Sequence, residues 1–170
     1  MTEHGIGASV RRKEDQRFLL GKGRYTDDIN VAGQTHAVFL RSPHAHAIIE
    51  GIDTRTATAA PGVVAVLTGD DLAADGIGPL ICGVTVTSDD GEPHRAPAHP
   101  ALAQGKVNYV GDHVAIVIAE TLTQARDAAE LVEVRYRPLL AVSGTADAAS
   151  PGQQQIHDVA PDNVCFNWPF

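Results

Sequence analysis

The stretch that decides the fold is residues 113–136, which read HVAIVIAETLTQARDAAELVEVRY. Its beginning has an uninterrupted run of apolar residues, VAIVIA at 114–119, which is long enough for a strand and predicts that this strand is fully buried. Thr121 and Gln124 follow with the spacing of a capping box, so we predict that a helix begins at Thr121. Apolar residues then recur at helical spacing, namely Leu122, Ala125, Ala129 and Val132. Residues 132–136 alternate apolar and charged side chains, which predicts a half-exposed strand after a helix that packs through a small-residue face.

Shorter apolar runs before this stretch predict further strands, at residues 35–41, 46–53, 63–67 and 106–110. The first two runs flank Ser42 and Pro43, and we predict that they pair as antiparallel neighbours. Residues 54–60 predict one or two helical turns, and residues 68–71 predict a tight turn. Strands and helices thus mix without a regular β-α-β alternation, which indicates an α+β fold with a largely antiparallel sheet and one main helix.

Two long segments carry no regular pattern. Between residues 73 and 104, eight glycines and prolines interrupt short apolar pieces. So long an excursion from a compact domain usually has a partner or a function. Beyond Val142 the chain is rich in small and polar residues, and it closes on the apolar residues 165–170. We expect such an ending to continue into another buried element.

The composition limits the class of function. The 170 residues include 13 Lys and Arg and 21 Asp and Glu, which gives a net charge of −8. An acidic chain lacks the dense basic face that phosphates require, which argues against nucleic acid as a partner. The first 30 residues are nearly neutral, with six basic and five acidic side chains. We interpret them as an arm that docks on another surface, with a solvated N-terminal arm as the alternative.

Cysteine usage and hydropathy indicate the compartment. Cys82 and Cys165 are the only cysteines, and they form no Cys-x-x-Cys pair, so we expect neither a disulfide framework nor a thiolate zinc site. Both are interpreted as packing residues. The first residues lack the apolar run of a signal peptide, and no run of 18 apolar residues is present to form a transmembrane segment. We expect a cytoplasmic protein.

One pattern has the residue types of a metal site. His44 and His46 are two residues apart, His36 precedes them, and two histidines on one face of a strand can ligate zinc or copper. No third and fourth ligand stand at a recognisable spacing. Ordinary turn or interface histidines are therefore the favoured interpretation, and a small histidine-based metal-binding protein stays an alternative hypothesis.

The other polar motifs favour structural roles. The acidic pairs next to turn signals are interpreted as solvated turns and helix caps: Asp27-Asp28, Asp70-Asp71 and Asp89-Asp90. No Gly-x-Ser-x-Gly elbow surrounds Ser42, so a serine nucleophile is not predicted. The glycine pairs at residues 5–7 and 21–23 complete no phosphate loop. The residues alone thus predict an acidic α+β domain without a self-contained active site.

Several separate motifs resemble one family in the family's order. They are RRKED at residues 11–15, GKGRYTDDI at 21–29, FLRSPHAHAI at 39–48, PGVVAVLTG at 61–69, VNYVGD at 107–112 and AAELVEV at 128–134. In them the chain resembles the beginning of the large subunits of molybdenum hydroxylases, the family of aerobic carbon monoxide dehydrogenase, xanthine dehydrogenase and aldehyde oxidase. The carbon monoxide dehydrogenase branch is the most similar. The resemblance covers nearly the whole chain.

The resemblance implies a fold and a division of the chain. It implies the α/β-hammerhead domain at residues 31–142, preceded by an N-terminal docking arm at residues 1–30. Residues 143–170 would form an irregular C-terminal segment that leads toward a molybdopterin-binding domain. It also implies that the hammerhead packs against the molybdopterin-binding domains, among contacts to iron-sulfur and flavin partners.

The resemblance further implies the chemistry of the parent enzyme. Substrate is oxidised with oxygen from water, and electrons pass from molybdenum through iron-sulfur clusters to FAD. The large subunit carries only the molybdenum-pterin cofactor, and the pterin-binding segments and catalytic glutamate of the family lie beyond the matched region. No catalytic, cofactor-binding or metal residue is therefore assigned here, and the isolated chain is expected to be inactive. A stand-alone interaction or assembly module with the same fold is the alternative.

The chain departs from the family pattern at three positions. Asn108 stands where a basic residue is common, and Arg135 and Arg137 stand where acidic residues are common. These replacements change the charge beside a predicted strand, so the contacts of that strand are expected to differ.

Overall fold

The computed structural model describes residues 12–168. The chain divides into two compact units, Met1–Gln34 and Thr35–Phe170. No helix in this described part is long and apolar enough to cross a membrane. Arg11, the glycine pair at residues 5–7 and the final Pro169 and Phe170 lie outside the described residues.

The first unit holds its described residues together through aromatic contacts. It contains the short helix α1 (Asp15–Leu19) and a 3-10 turn (Thr26–Asp28). The rings of Phe18 and Tyr25 stack with their centroids 5.9 Å apart, and the guanidinium carbon of Arg17 lies 5.0 Å from the Phe18 ring. No residue between 12 and 34 is buried, so this part has no hydrophobic core of its own.

The second unit contains six strands and three α-helices among the described residues. In chain order they are β1 (His36–Arg41), β2 (Ala47–Asp53), α2 (Arg55–Thr58), β3 (Val63–Thr68), α3 (Gly69–Ala74), β4 (Lys106–Val107), β5 (His113–Ala119), α4 (Leu122–Glu130) and β6 (Glu133–Pro138). A 3-10 turn follows at Pro161–Asn163. This order confirms the predicted α+β class.

The strands form two antiparallel sheets of three strands each. The first has the order β1-β5-β3, with Val38 and Val66 both opposite Val117 on the central strand. The second has the order β4-β2-β6, with Ile52 opposite Val134. The prediction that β1 and β2 pair with each other is wrong, because the chain passes from one sheet to the other at Ser42 and Pro43.

Helix α4 confirms the small-residue face that the sequence predicted. Ala125, Ala128 and Ala129 are buried, and Ala128 and Ala129 pack with Val117 of the first sheet in one of two core clusters. The expectation that Leu122 joins them is wrong, since this side chain is 40% exposed at the first turn. The second cluster lies against the second sheet and contains Ala47, Ala103, Val107 and Val114.

The ends of two elements differ from the predictions for local reasons. Residues 68–71 are not a free turn: Thr68 is the N-cap of α3, and its backbone N–H and hydroxyl both donate to Asp71 Oδ2, at 2.7 and 2.6 Å. Strand β4 stops at Val107 rather than Val110. Beyond it the Asn108 N–H donates to Asp112 Oδ2 at 3.1 Å, which turns the chain away from the sheet.

The two irregular segments contact each other. Within the excursion, Thr87 and Pro93 form an isolated antiparallel bridge. The C-terminal residues run beside this hairpin, where the Arg95 N–H donates to the Cys165 carbonyl at 2.9 Å and the Asp89 N–H donates to the Asn167 carbonyl at 3.0 Å. Residues far apart in sequence therefore form one exposed lobe, which we call the excursion lobe (residues 77–99 and 164–168).

Candidate functional site

The buried polar residues of the described chain meet at one place. Ser42 and His46 are each 2% exposed and Asp112 is 8% exposed, and no other polar or charged residue of the described part is buried. They belong to two loops, residues 42–46 and 108–112, that connect the two sheets. We call this place the polar junction. The loops lie within two of the sequence motifs that carry the family resemblance.

Backbone hydrogen bonds join the two loops directly. The Ser42 N–H donates to the Asp112 carbonyl, and the Gly111 N–H donates to the Ser42 carbonyl, each at 2.8 Å. Arg41 adds a side-chain bond, from Nη1 to the Gly111 carbonyl at 3.1 Å. Because buried backbone groups require partners, these bonds fix the loops against each other.

The Ser42 hydroxyl serves the turn that contains it. It accepts from the His44 N–H at 3.0 Å and donates to the His44 carbonyl at 2.9 Å. A serine nucleophile requires a histidine base within hydrogen-bond reach of its oxygen. Here both hydrogen bonds of Ser42 Oγ go to backbone atoms, so the geometry is that of a turn and not of a catalytic pair.

The two histidines of the motif have separate environments. His46 Nδ1 lies 2.8 Å from the Leu140 carbonyl, which can only accept, so Nδ1 carries the proton. The buried Nε2 of His46 has no partner among the described residues. The ring of His44 instead meets the ring of Tyr136 edge to face, with 4.9 Å between centroids.

The structure brings no further ligand to these histidines. Across residues 12–168, no three His, Cys, Asp or Glu side chains come together in a way that would hold a metal ion. His36 lies at the other end of β1 from the junction, opposite Ala119. The donor set of the described chain therefore does not fit a metal ion or a metal cluster.

A cleft of about 350 Å³ opens beside the junction. Lys106, Asn108, Asp112 and His157 lie on its wall. Lys106 Nζ donates to the Ile156 carbonyl at 2.8 Å and lies 3.7 Å from Asp158 Oδ1. These contacts attach the C-terminal segment to the junction.

Two titratable groups of the cleft, His157 and Tyr109, are shifted toward their neutral forms. Burial, followed by the neighbouring Lys106, lowers the pKa of His157. Burial, followed by the charge of Asp112, raises the pKa of Tyr109. Both directions favour the uncharged form of the side chain.

The acidic pairs confirm their interpretation as turns and caps. Asp28 Oδ2 accepts from the Tyr25 N–H at 2.9 Å, and Asp90 Oδ1 accepts from the Glu92 N–H at 3.0 Å. Asp71 closes the capping box of α3, and the Thr68 hydroxyl, followed by the Thr68 N–H, lowers the pKa of its carboxyl group. None of the three pairs faces a second pair or a shared ligand.

The three departures from the family pattern have identifiable contacts. Arg137 Nε donates to Glu50 Oε1 at 3.0 Å across β2 and β6. The Arg135 guanidinium occupies the space over Gly51 that a Cβ would take. Asn108 contributes its N–H to Asp112, while its buried Oδ1 has no partner among the described residues.

Both cysteines are free, and the exposure of one of them contradicts its interpretation as a packing residue. Cys82 is exposed and Cys165 is partly exposed. Cys82 is therefore not a packing residue, because it lies in the excursion lobe, where there is little to pack against.

Sequence reasoning missed three residues, two of which bind the junction and one of which lies behind it. The Leu139 N–H donates to the His46 carbonyl at 2.9 Å, and the Leu140 carbonyl binds His46 as described. Asn163 then shapes the loop behind His157, since its side chain accepts from the Ile156 N–H and donates to the Ala148 and Gln154 carbonyls. These partners are backbone groups, which no side-chain pattern in the sequence reveals.

Comparison with known proteins identifies the domain. The family described as "Aldehyde oxidase and xanthine dehydrogenase, a/b hammerhead domain" matches residues 20–140. The chain is 40% identical to the nicotine 6-hydroxylase large subunit of Paenarthrobacter nicotinovorans, over 96% of this chain and 19% of that protein. It is 38% identical to the carbon monoxide dehydrogenase large chain of Afipia carboxidovorans, over 94% of this chain and 18% of that protein.

Solved structures agree with these relatives. Quinoline 2-oxidoreductase from Pseudomonas putida superposes with a TM-score of 0.76 at 40% identity, over 90% of this chain and 19% of that one. A Cu,Mo-CO dehydrogenase superposes with a TM-score of 0.72 at 38% identity, over 88% of this chain and 18% of that one. The chain thus spans about a fifth of the length of the proteins it matches. It belongs to the a/b hammerhead domain family of aldehyde oxidases and xanthine dehydrogenases, within the large-subunit family of the molybdenum hydroxylases.

Proposed function

We propose that the chain acts as a structural and interface domain of a molybdenum hydroxylase large subunit. This proposal is supported by the large apolar side chains of the excursion lobe, which are exposed to solvent. Leu80 is 61%, Ile81 94%, Val84 67% and Trp168 61% exposed. Exposed apolar side chains gathered on one ordered lobe are typical of interaction surfaces.

The arm adds a second surface of the same kind. Within its described part every large apolar side chain is more than 40% exposed, and Leu19 reaches 86%. Exposed apolar side chains on a segment without a buried residue favour docking on another surface. We therefore propose that residues 1–30 are a docking arm, that residues 31–142 are the hammerhead proper, and that residues 143–170 lead toward a molybdopterin-binding domain.

The proposed cofactors lie outside this chain. Among residues 12–168, no three His, Cys, Asp or Glu side chains lie together as the ligands of a metal ion would. We propose that the parent subunit binds a molybdenum-molybdopterin cofactor and that partner subunits or domains hold the iron-sulfur clusters and FAD. The parent enzyme would oxidise its substrate with water-derived oxygen, in the cytoplasm, on the carbon monoxide dehydrogenase branch.

A binding experiment tests the interface role. The chain is mixed with the separately expressed molybdopterin-binding and iron-sulfur polypeptides of its enzyme, and complexes are measured by size-exclusion chromatography. Ile81→Asp is expected to abolish or strongly weaken the complex, because it places a charge on the proposed interface. Val64→Asp is the matched control, since Val64 is 61% exposed on strand β3, outside the excursion lobe.

The outcomes separate the hypotheses. Equal loss of binding in both variants, or none in either, contradicts docking through the excursion lobe. A complex that forms only before cofactor insertion and dissociates afterwards favours the stand-alone assembly module. Turnover by the assembled enzyme of carbon monoxide, of N-heterocycles or of aldehydes then identifies the branch, and the chain alone is expected to oxidise none of them.

A further inference from the structure

The excursion lobe contains a thiol and an imidazole within hydrogen-bond distance. Cys82 Sγ lies 3.8 Å from His94 Nε2 and donates to the Val84 carbonyl at 3.4 Å. Cys82 and His94 are 12 positions apart in the sequence. The hairpin around the Thr87–Pro93 bridge brings them together, and the sulfur is exposed to solvent.

The backbone fixes which nitrogen of His94 carries the proton. The Val86 N–H donates to His94 Nδ1 at 3.1 Å, and the His94 N–H donates to the Val86 carbonyl at 2.8 Å. A nitrogen that accepts a hydrogen bond has no proton of its own, so neutral His94 carries its proton on Nε2. That proton is on the nitrogen nearest the Cys82 sulfur.

Neutral His94 therefore acts toward the sulfur as a hydrogen-bond donor and not as a base, because its Nε2 carries the proton and its Nδ1 already accepts from the backbone. The thiolate is the reactive form of cysteine, and a donor directed at the sulfur stabilises its negative charge. We propose that Cys82 is a site of thiol–disulfide exchange with small disulfides, and that His94 is the positioning residue that promotes it. Because Ile81 and Val84 of the proposed interface flank Cys82, the exchange takes place before the excursion lobe docks on a partner.

The reaction balances without a further oxidant. The Cys82 thiol releases its proton to solvent, and its sulfur attacks one sulfur of the small disulfide. The disulfide bond breaks, a mixed disulfide forms on Cys82, and the other half leaves as a thiolate. A second small thiol reverses the modification by the same exchange.

Two substitutions at one position separate the roles of the two ring nitrogens. In His94→Asn the side-chain oxygen replaces Nδ1 as acceptor for the Val86 N–H, but the donor near the sulfur is lost. In His94→Gln the terminal amide nitrogen replaces Nε2 as donor. Cys165 reacts in the same sample and serves as the internal control, since no imidazole lies beside it among the described hydrogen bonds.

The experiment incubates the whole chain with oxidised glutathione at pH 7 and follows each cysteine by peptide mass spectrometry. Cys82 in His94→Asn is expected to react about fivefold more slowly than in the unmodified sequence, because a hydrogen bond to a charged group is lost. His94→Gln is expected to restore most of the rate, and Cys165 is expected to react equally in all three. Equal Cys82 rates with and without the His94→Asn change would overturn the proposal. Equal slowing at Cys165 would overturn it too, because that result points to a general change of the lobe.

Discussion

The backbone N–H of Ser42 donates to the carbonyl of Asp112 across 2.8 Å, and both residues are at least nine-tenths buried. The bond lies where the chain leaves the first sheet and enters the second, so each loop of the polar junction supports the other. A loss at either residue therefore removes support from both sheets.

Ser42→Ala is expected to lower the free energy of unfolding by about 1–3 kcal/mol. The substitution leaves the partly buried His44 N–H and carbonyl without the hydroxyl that serves both. Urea unfolding measures the change. Ser150→Ala is the control, since Ser150 is exposed and its side chain makes no described hydrogen bond, and it should stay within about 0.5 kcal/mol of the parent chain.

Asp71→Ala is expected to destabilise the chain by about 1 kcal/mol, because it removes the carboxylate that closes the capping box of α3. Its neighbour Asp70 is exposed and makes no described cap, so Asp70→Ala should change stability much less. Thermal unfolding of the two variants side by side distinguishes a cap from a general charge effect. Equal melting temperatures would show that the box contributes nothing.

Gly69→Ala is expected to cost about 1–3 kcal/mol by overpacking. A Cβ at this buried glycine would overlap the Ala103 carbonyl, and a backbone atom cannot move aside as a flexible side chain can. Gly78→Ala is the matched control, because a Cβ there meets no atom within 4 Å. Denaturant midpoints that fall equally in both variants would contradict the close approach.

The Asp53 carboxyl group is expected to titrate at a pKa of about 2 instead of its ordinary 3.8. The Arg55 side chain is the main cause, and its Nη2 lies 2.6 Å from Asp53 Oδ2. A lowered pKa means that the folded chain favours the carboxylate. Its contribution to stability is therefore complete above about pH 4 and is lost as the pH falls toward 2.

Carbon-13 NMR titration of the side-chain carboxyl measures this value. In Arg55→Ala the Asp53 pKa should return toward 3.8, whereas Arg126→Ala, on the exposed side of α4, should leave it near 2. An Asp53 that titrates near 3.8 in the parent chain would disprove the pairing in solution.

The elements were predictable where the signal was local. The apolar run of β5, the cap at Thr121 and the alternation of β6 each depend on neighbours in sequence, and the structure places an element at each. Even there the match is incomplete, since the Gln124 side chain binds the Thr121 hydroxyl at 2.8 Å and not the backbone N–H that a full capping box requires.

The long-range pairing was not predictable from the same patterns. Short connections favour pairing of consecutive strands, but Ser42 donates to Asp112, 70 positions later, and this contact directs β2 away from β1. The polar junction was equally hidden, because Leu139 and Leu140 bind His46 there through their backbone groups. The family resemblance supplied the hammerhead fold that the periodicities alone left as an α+β class.

The interleaved order of the two sheets has a consequence for the time at which the domain folds. The central strand of the first sheet is β5, whose residues 113–119 are synthesised late, and the outer strands β4 and β6 of the second sheet are also late. A nascent chain that has reached only residue 105 holds β1, β2 and β3 without any of their partners. Contacts of such high sequence separation form slowly. Neither sheet begins to assemble on the ribosome until most of the domain has emerged. During this interval the strand edges are unpaired, so this is the stage of synthesis at which chaperones matter most.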